Sequence, residues 1–158
     1  MTHDAISEIR QRLVEDRVAT LLLVSDLNED QAQRRPRSNA WSIKDHLAHL
    51  VAVEEAVIAF ARRLLKEERP IADAYDVDTW NARQQAQRAG LTWAQTLTEL
   101  STTRERLLVL LDEVPGQALN RIGSHPVWGD PITLLSVLRV PYRHERGHRD
   151  EIRALRIS

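Results

Sequence analysis

The 158-residue sequence contains no cysteine. This absence excludes disulfide bonds, thiolate metal ligands and a cysteine nucleophile, and it is compatible with a reducing compartment. The sequence also has no run that approaches the roughly 18 apolar residues of a membrane-spanning helix, and its N-terminus lacks the apolar core of a signal peptide. We therefore expect a cytoplasmic protein with no membrane partner.

An excess of charge of one sign is also missing. The net charge is −1, and acidic and basic residues are intermixed, so the chain has no electrostatic footprint for nucleic acid. The one basic run, Arg34, Arg35 and Arg37, is short and is accompanied by Glu29 and Asp30. We interpret it as part of a solvated loop.

No segment shows the alternation of a β-strand, and apolar residues recur at helical spacing through nearly the whole chain. Polar loops are predicted over residues 28–40 and 116–129, and Asp130-Pro131 is predicted to open the last helix. Helices are predicted over residues 3–27, 42–66, 76–88, 92–114 and from 131 to near the C-terminus. Four long amphipathic helices indicate an all-α four-helix bundle, formed by a single domain over residues 1–158.

The segment from His144 to His148 reads His-Glu-Arg-Gly-His. On a helix, residues four apart share a face, so both imidazoles can reach one cation. Metals of the zinc class favour such nitrogen donors, and Glu145 between them is a candidate proton acceptor for a bound water. An ion pair between Glu145 and a neighbouring arginine is an equally good interpretation.

Both histidines fall within the apolar stripe of the last helix, where an unpaired polar group costs roughly 2 kcal/mol or more. A metal would satisfy them, as would core carboxylates or carbonyls, and we favour the metal. Zinc peptidases of one group take a third histidine six residues after the motif, but Ala154 stands there. The third donor must then lie upstream, where the second helix carries His46 and His49, and spacing alone leaves both open.

Other polar residues stand out less. Arg104 interrupts the apolar seam of the third long helix, and Glu54 points inward from the second. His3 and His125 are expected to be ordinary surface residues. Trp41 is expected to lock the start of the second helix.

The segment Trp41-Ser42-Ile43-Lys44-Asp45-His46-Leu47-Ala48-His49-Leu50, together with the histidine pair of the last helix, resembles the DinB-like superfamily, which includes YfiT-type proteins. The segment Asp78-Thr79-Trp80-Asn81 is more weakly similar. The resemblance covers nearly the whole length and implies a four-helix bundle that holds a divalent metal with three histidines. By position in the motif these are His49, His144 and His148, so the resemblance prefers His49 to His46.

The resemblance also implies an activity. Three nitrogen ligands leave open positions for water or substrate, as in catalytic rather than closed structural sites. Similar proteins include metal-dependent thiol transferases and hydrolases, so we expect zinc or nickel to activate water or a low-molecular-weight thiol cosubstrate toward a small electrophile, in detoxification or stress response. Glu145 is the candidate catalytic residue, a homodimer is expected by resemblance, and the alternative is a bundle that binds a metal or small molecule without turnover.

Overall fold

The computed structural model describes the backbone of residues 2–157 and the side chains of residues 4–157, so the prediction for the His3 side chain lies outside the described residues. Six α-helices, a 3-10 helix and a two-stranded hairpin follow one another along this part of the chain. In order they are α1 (Thr2–Val24), α2 (Glu29–Gln33), α3 (Ile43–Lys66), α4 (Val77–Arg88), α5 (Trp93–Glu113), the 3-10 helix Gly116–Asn120, β1 (Ile122–His125), β2 (Gly129–Thr133) and α6 (Leu134–Ile157).

The four long helices, α1, α3, α5 and α6, form the predicted bundle. Helix α3 packs against α5 and α6, and α1 packs against α6 and α5. The predicted start of α3 is confirmed, because Ser42 and Asp45 cap each other's backbone N–H groups at 2.9 and 3.1 Å. Each long helix within residues 2–157 interrupts its apolar residues with charged ones, so none of them is a candidate for crossing a bilayer.

The apolar core of the bundle has two parts. The larger cluster surrounds the C-terminal half of α3, the second half of α5 and the first half of α6, and includes Phe60, Leu107 and Leu138. The smaller cluster lies at the other end, around Leu47, Trp93 and Ile152. Both clusters draw residues from α3, α5 and α6, so the same helices continue from one to the other.

Three predictions about the connections are wrong: the loop over residues 28–40, the loop over residues 116–129, and the start of the last helix at Asp130-Pro131. The polar segment 28–40 contains α2, which Asn28 and Gln31 cap reciprocally, but a five-residue helix is too short to show a periodicity. The strands β1 and β2 form an antiparallel hairpin, with Gly123 opposite Ile132. Pro131 lies in β2 rather than at the start of α6.

The hairpin is anchored to the chain that follows α3. Ser124 donates its backbone N–H to the Pro70 carbonyl and accepts from the Ala72 N–H, both at 2.9 Å. A Cβ atom on Gly123 would lie 2.6 Å from the Pro70 carbonyl oxygen, so this close approach requires glycine. Helix α6 then starts at Leu134, where the Thr133 hydroxyl accepts from the Ser136 backbone N–H at 3.1 Å.

Candidate metal centre

Two packed helices supply four histidines at one level of the bundle. His46 and His49 lie one turn apart near the start of α3, and His144 and His148 lie one turn apart in α6. The Ser42 cap sets where α3 begins, and the packing of α3 on α6 turns the four rings toward each other. The predicted inward orientation of the α6 pair is therefore confirmed.

Three of these rings meet through the same atom type. The Nε2 atom of His144 lies 3.1 Å from Nε2 of His49 and 3.0 Å from Nε2 of His148. Each of the three residues offers a ring nitrogen within 4.8 Å of the other two. His49 is buried and the α6 pair is half-buried. The structure thus brings together the three histidines that the family resemblance implies as ligands; we call them the histidine triad.

Burial keeps the rings neutral. It lowers the pKa of His49 to about 3, with further contributions from the other three histidines. Burial, and then His148, lowers the pKa of both His46 and His144 to about 4. At neutral pH these rings are uncharged, which is the form of imidazole that binds a metal.

The donor set of the histidine triad fits a metal ion. Two ring nitrogens can form a hydrogen bond only when one of them carries a proton, so neighbouring lone pairs compete for few protons. Metal–nitrogen bonds of about 2.0–2.1 Å allow one ion to reach nitrogens that are 3.0–3.1 Å apart, and it would satisfy all three lone pairs. The chemistry and the spacing of the triad therefore suit a divalent ion of the zinc class.

His46 joins the site from a different side. Its Nδ1 atom lies 2.9 Å from Nδ1 of His148, the nitrogen that faces away from the triad. Glu151 Oε2 lies 3.0 Å from the same His148 nitrogen and 3.4 Å from His46 Nδ1. The structure therefore brings both α3 histidines to His148, with His49 near its Nε2 side and His46 at its Nδ1 side.

Trp41 covers these rings. Its ring centroid lies 4.9 Å from that of His49, 5.3 Å from that of His46 and 6.1 Å from that of His148, which it stacks against. Trp41, two residues before α3, is thus part of the site, while its expected role in locking the start of the helix stays a prediction. Next to it lies an open cavity of about 740 Å³, with walls that include Trp41, His46, His148 and Glu151.

Glu145 lies in a different environment from the one that a catalytic base requires. Its Oε1 accepts from Arg17 Nε at 2.8 Å and its Oε2 accepts from Arg104 Nη2 at 2.7 Å. Burial alone would raise the pKa of Glu145, but the two guanidinium groups hold it below its usual value. The catalytic role predicted for Glu145 does not fit this environment, and the structure shows the alternative, an ion pair.

The ion pair belongs to a buried cluster with one charged residue from each long helix. Glu54 accepts from Arg17 at 3.0 Å and from Arg104, so Arg17 (α1), Glu54 (α3), Arg104 (α5) and Glu145 (α6) form a closed set with no net charge. We call it the ionic layer. It explains Arg104, the exception in an apolar seam. Sequence reasoning missed Arg17, although its place four residues after Leu13 and four before Leu21 put it on the inward stripe of α1.

The prediction for His125 is wrong. This residue is buried, and its ring stacks on Trp128 with a centroid separation of 3.8 Å. Its Nδ1 accepts from the backbone N–H groups of Val127 and Trp128 at 3.2 Å, which closes the turn of the hairpin. The hairpin itself was not predicted, so the sequence held no signal for this burial.

The neutral histidines make the stability of the metal-free protein depend on pH. Because the pKa of His49 is about 3 when folded and roughly 6.5 when unfolded, the unfolded chain takes up the proton first as pH falls. Its contribution is therefore complete above about pH 6.5 and is lost as pH falls toward the folded value. Urea unfolding at pH 7 and 5.5 should show this loss. The variant His49→Gln should reduce the difference by about 1 kcal/mol, and an unchanged difference would contradict the assignment.

Comparisons with known protein families and solved structures agree with the fold and with the resemblance described above. The sequence profile of the DinB superfamily matches residues 12–152. A Bacillus licheniformis protein, named provisionally as a metal-dependent hydrolase, is 25% identical over 138 residues, which cover 84% of this chain and 74% of that protein. The structure of YfiT from Bacillus subtilis, described as a probable metal-dependent hydrolase with an unusual four-helix bundle topology, matches with a TM-score of 0.77 and 23% identity, over 95% of this chain and 85% of that one. An uncharacterised Clostridium difficile protein matches with a TM-score of 0.78 and 12% identity, over 96% and 95% of the two chains. The structural likenesses confirm the fold.

Proposed function

This chain belongs to the DinB superfamily, and we propose that it is a metal-dependent enzyme in which His49, His144 and His148 bind a divalent ion. The observation that carries the proposal is the convergence of three neutral imidazoles, one buried and two half-buried, through their Nε2 atoms. The similarity to a Bacillus licheniformis protein named provisionally as a metal-dependent hydrolase supports it. Zinc and nickel are the ions that we expect.

The reaction that suits this site is the attack of a water molecule or a thiol on a small electrophile. A bound divalent ion supplies the lowered pKa of a coordinated water or thiol. The chain itself contributes three nitrogen ligands and no cysteine, so a thiol nucleophile would have to arrive as a low-molecular-weight cosubstrate. The cavity beside Trp41 provides room for a small molecule next to the histidines. We propose hydrolysis or thiol transfer, in detoxification or stress response.

Metal content tests the first part of the proposal. Protein purified without chelator, loaded with zinc or nickel and then desalted, should carry about one equivalent by elemental analysis. The variants His49→Ala and His144→Ala should each lose most of this metal, because two imidazoles do not hold an ion as tightly as three. His125→Ala is the matched control, since His125 is also buried but lies in the hairpin, and it should retain the full equivalent.

A metal-free protein after loading, or equal metal content in all three variants, would show that the histidines are only hydrogen-bonded core residues. Activity then distinguishes the remaining possibilities. Small esters, amides and reactive electrophiles, each tested with and without low-molecular-weight thiols, should be consumed by the metal-loaded protein and not by His144→Ala. Stabilisation by these compounds without any consumption would favour a binding protein over an enzyme.

A further inference from the structure

We propose that Glu151 and His46 are positioning residues that hold the His148 imidazole as the tautomer with a proton on Nδ1 and a free lone pair on Nε2. The inference rests on the proposed function, since that lone pair faces the metal site. It assigns a role to His46, which the three-ligand arrangement does not use. It also assigns one to Glu151, one turn beyond the motif.

The two nitrogens of a neutral imidazole have opposite roles, because one carries the proton and the other the lone pair. If Nε2 of His148 binds the ion beside His144 and His49, the Nδ1 atom must carry the proton. A buried N–H group needs an acceptor, and a carboxylate is the usual partner of a metal-binding histidine. The groups around His148 Nδ1 must therefore supply a hydrogen-bond acceptor for this proton.

Two acceptors stand at this position. Glu151 Oε2 lies 3.0 Å from His148 Nδ1, one turn along α6, and His46 Nδ1 lies 2.9 Å from it, across the interface with α3. The His148 N–H can donate to either group, and both approach from the side opposite to the triad. By contrast, His49 Nδ1 is buried and has no hydrogen-bond partner among the described residues. Unlike His49, His148 thus has two side chains, Glu151 and His46, within hydrogen-bond distance of the nitrogen that faces away from the triad.

The same three groups could instead hold a cation of their own, since His46, His148 and Glu151 present ligand atoms close together. A second ion on Nδ1 would require His148 to give up its only remaining proton while its Nε2 is also bound. The Nδ1 proton with two acceptors needs no such loss. The hydrogen-bonded arrangement is therefore the one that we propose, and a second ion becomes an outcome of the test.

These residues also place His148 beside the cavity next to Trp41, where a small molecule would bind. His46, His148 and Glu151 all line the cavity beside Trp41, and the Glu151 side chain is 61% exposed. A molecule in this cavity would lie against the hydrogen bonds that orient His148. Removing these bonds should therefore affect metal affinity directly and leave the fold, which α3 and α6 hold by apolar packing, largely intact.

The experiment combines zinc affinity with the tautomeric state of His148. Zinc dissociation constants are measured by competition with a chromophoric chelator for wild type, Glu151→Ala, Glu151→Gln and Glu151→Ala/His46→Phe. We expect Glu151→Ala to weaken zinc binding about 10-fold, within the 10- to 100-fold usual for such partners. Glu151→Gln, which keeps an acceptor oxygen, should recover part of the lost zinc affinity. The double variant should bind zinc more weakly than Glu151→Ala and Glu151→Gln do. Asp150→Ala, the neighbouring exposed carboxylate that pairs with Arg153, should bind as wild type does.

Long-range ¹H–¹⁵N NMR of the metal-free protein provides a readout that packing alone would not change. In wild type, His148 should carry its proton on Nδ1, and in the double variant a substantial Nε2–H population should appear. A wild-type proton on Nε2, an affinity of Glu151→Ala equal to that of Asp150→Ala, or a second zinc equivalent that Glu151→Ala removes would each overturn the inference. If wild type binds neither zinc nor nickel, the proposed function fails, while the tautomer of His148 still decides this inference on its own.

Discussion

The variant Arg104→Met should lower the free energy of unfolding by about 3–5 kcal/mol, the range measured when one member of a buried ion pair is removed. Methionine keeps most of the length of the side chain, so little of this loss comes from a cavity. The charge is what disappears, and Glu54 and Glu145 are left buried with Arg17 as their only cation within the ionic layer. Urea unfolding at pH 7 measures the effect.

A second substitution separates charge from packing. In Arg104→Met/Glu54→Met the remaining pair, Arg17 and Glu145, is balanced again. The double variant should therefore be at least 1 kcal/mol more stable than the sum of the two single changes predicts, because members of one ionic network are coupled. Arg62→Ala is the matched control, since Arg62 pairs with Glu113 between α3 and α5 on the surface, and it should cost less than 1 kcal/mol. Additive effects of Arg104→Met and Glu54→Met would contradict the layer as a unit.

Saturation with the proposed metal should raise the stability by about 4 kcal/mol when free zinc exceeds its dissociation constant 1,000-fold. For a domain of this size that gain corresponds to roughly 10 °C in Tm. The physical reason is that only the folded chain holds His49 beside His144 and His148, so the ion binds the folded state alone. Thermal unfolding followed by circular dichroism, with and without zinc, measures the shift.

Removal of the ion should reverse this gain. Addition of a chelator should return the Tm to its metal-free value, and His49→Ala should show the same Tm with zinc as without it. His125→Ala should still respond to zinc as wild type does, although its starting Tm is lower. An equal zinc response in His49→Ala would place the ion elsewhere and remove the basis of the proposed centre.

The long helices could be predicted because each carries repeating apolar residues, and α3 and α5 also begin at a strong cap. Ser42 with Asp45 and Thr92 with Gln95 form the reciprocal caps that their spacing indicates. The sequence also predicted which face of α6 is buried, since His144 and His148 lie in the same stripe as its apolar residues. Patterns of this kind reflect burial on one face of a helix, which periodicity records directly.

Ion pairs between different helices cannot be predicted in the same way as the apolar face of a single helix. Glu54 and Glu145 both point inward, but nothing in their spacing says that they meet Arg17 and Arg104 rather than a metal or a substrate. Such contacts depend on which helices become neighbours, which is a property of the whole fold. The hairpin escaped prediction for a local reason, because strands of four and five residues are too short to alternate visibly.

The ionic layer fixes the positions of the four long helices along the axis of the bundle. It separates the two apolar clusters, and each long helix contributes one charged residue at the same height. If one helix slid by a turn, about 5.4 Å, its charged residue would enter an apolar cluster. The residue that had paired with it would stay buried without that counter-charge. Glu145 directly follows His144, and Glu54 is five residues beyond His49, so fixing the height of the carboxylates also fixes the height of the imidazoles. The salt bridges of the ionic layer thus align His49 with His144, although none of these salt bridges involves a histidine of the triad.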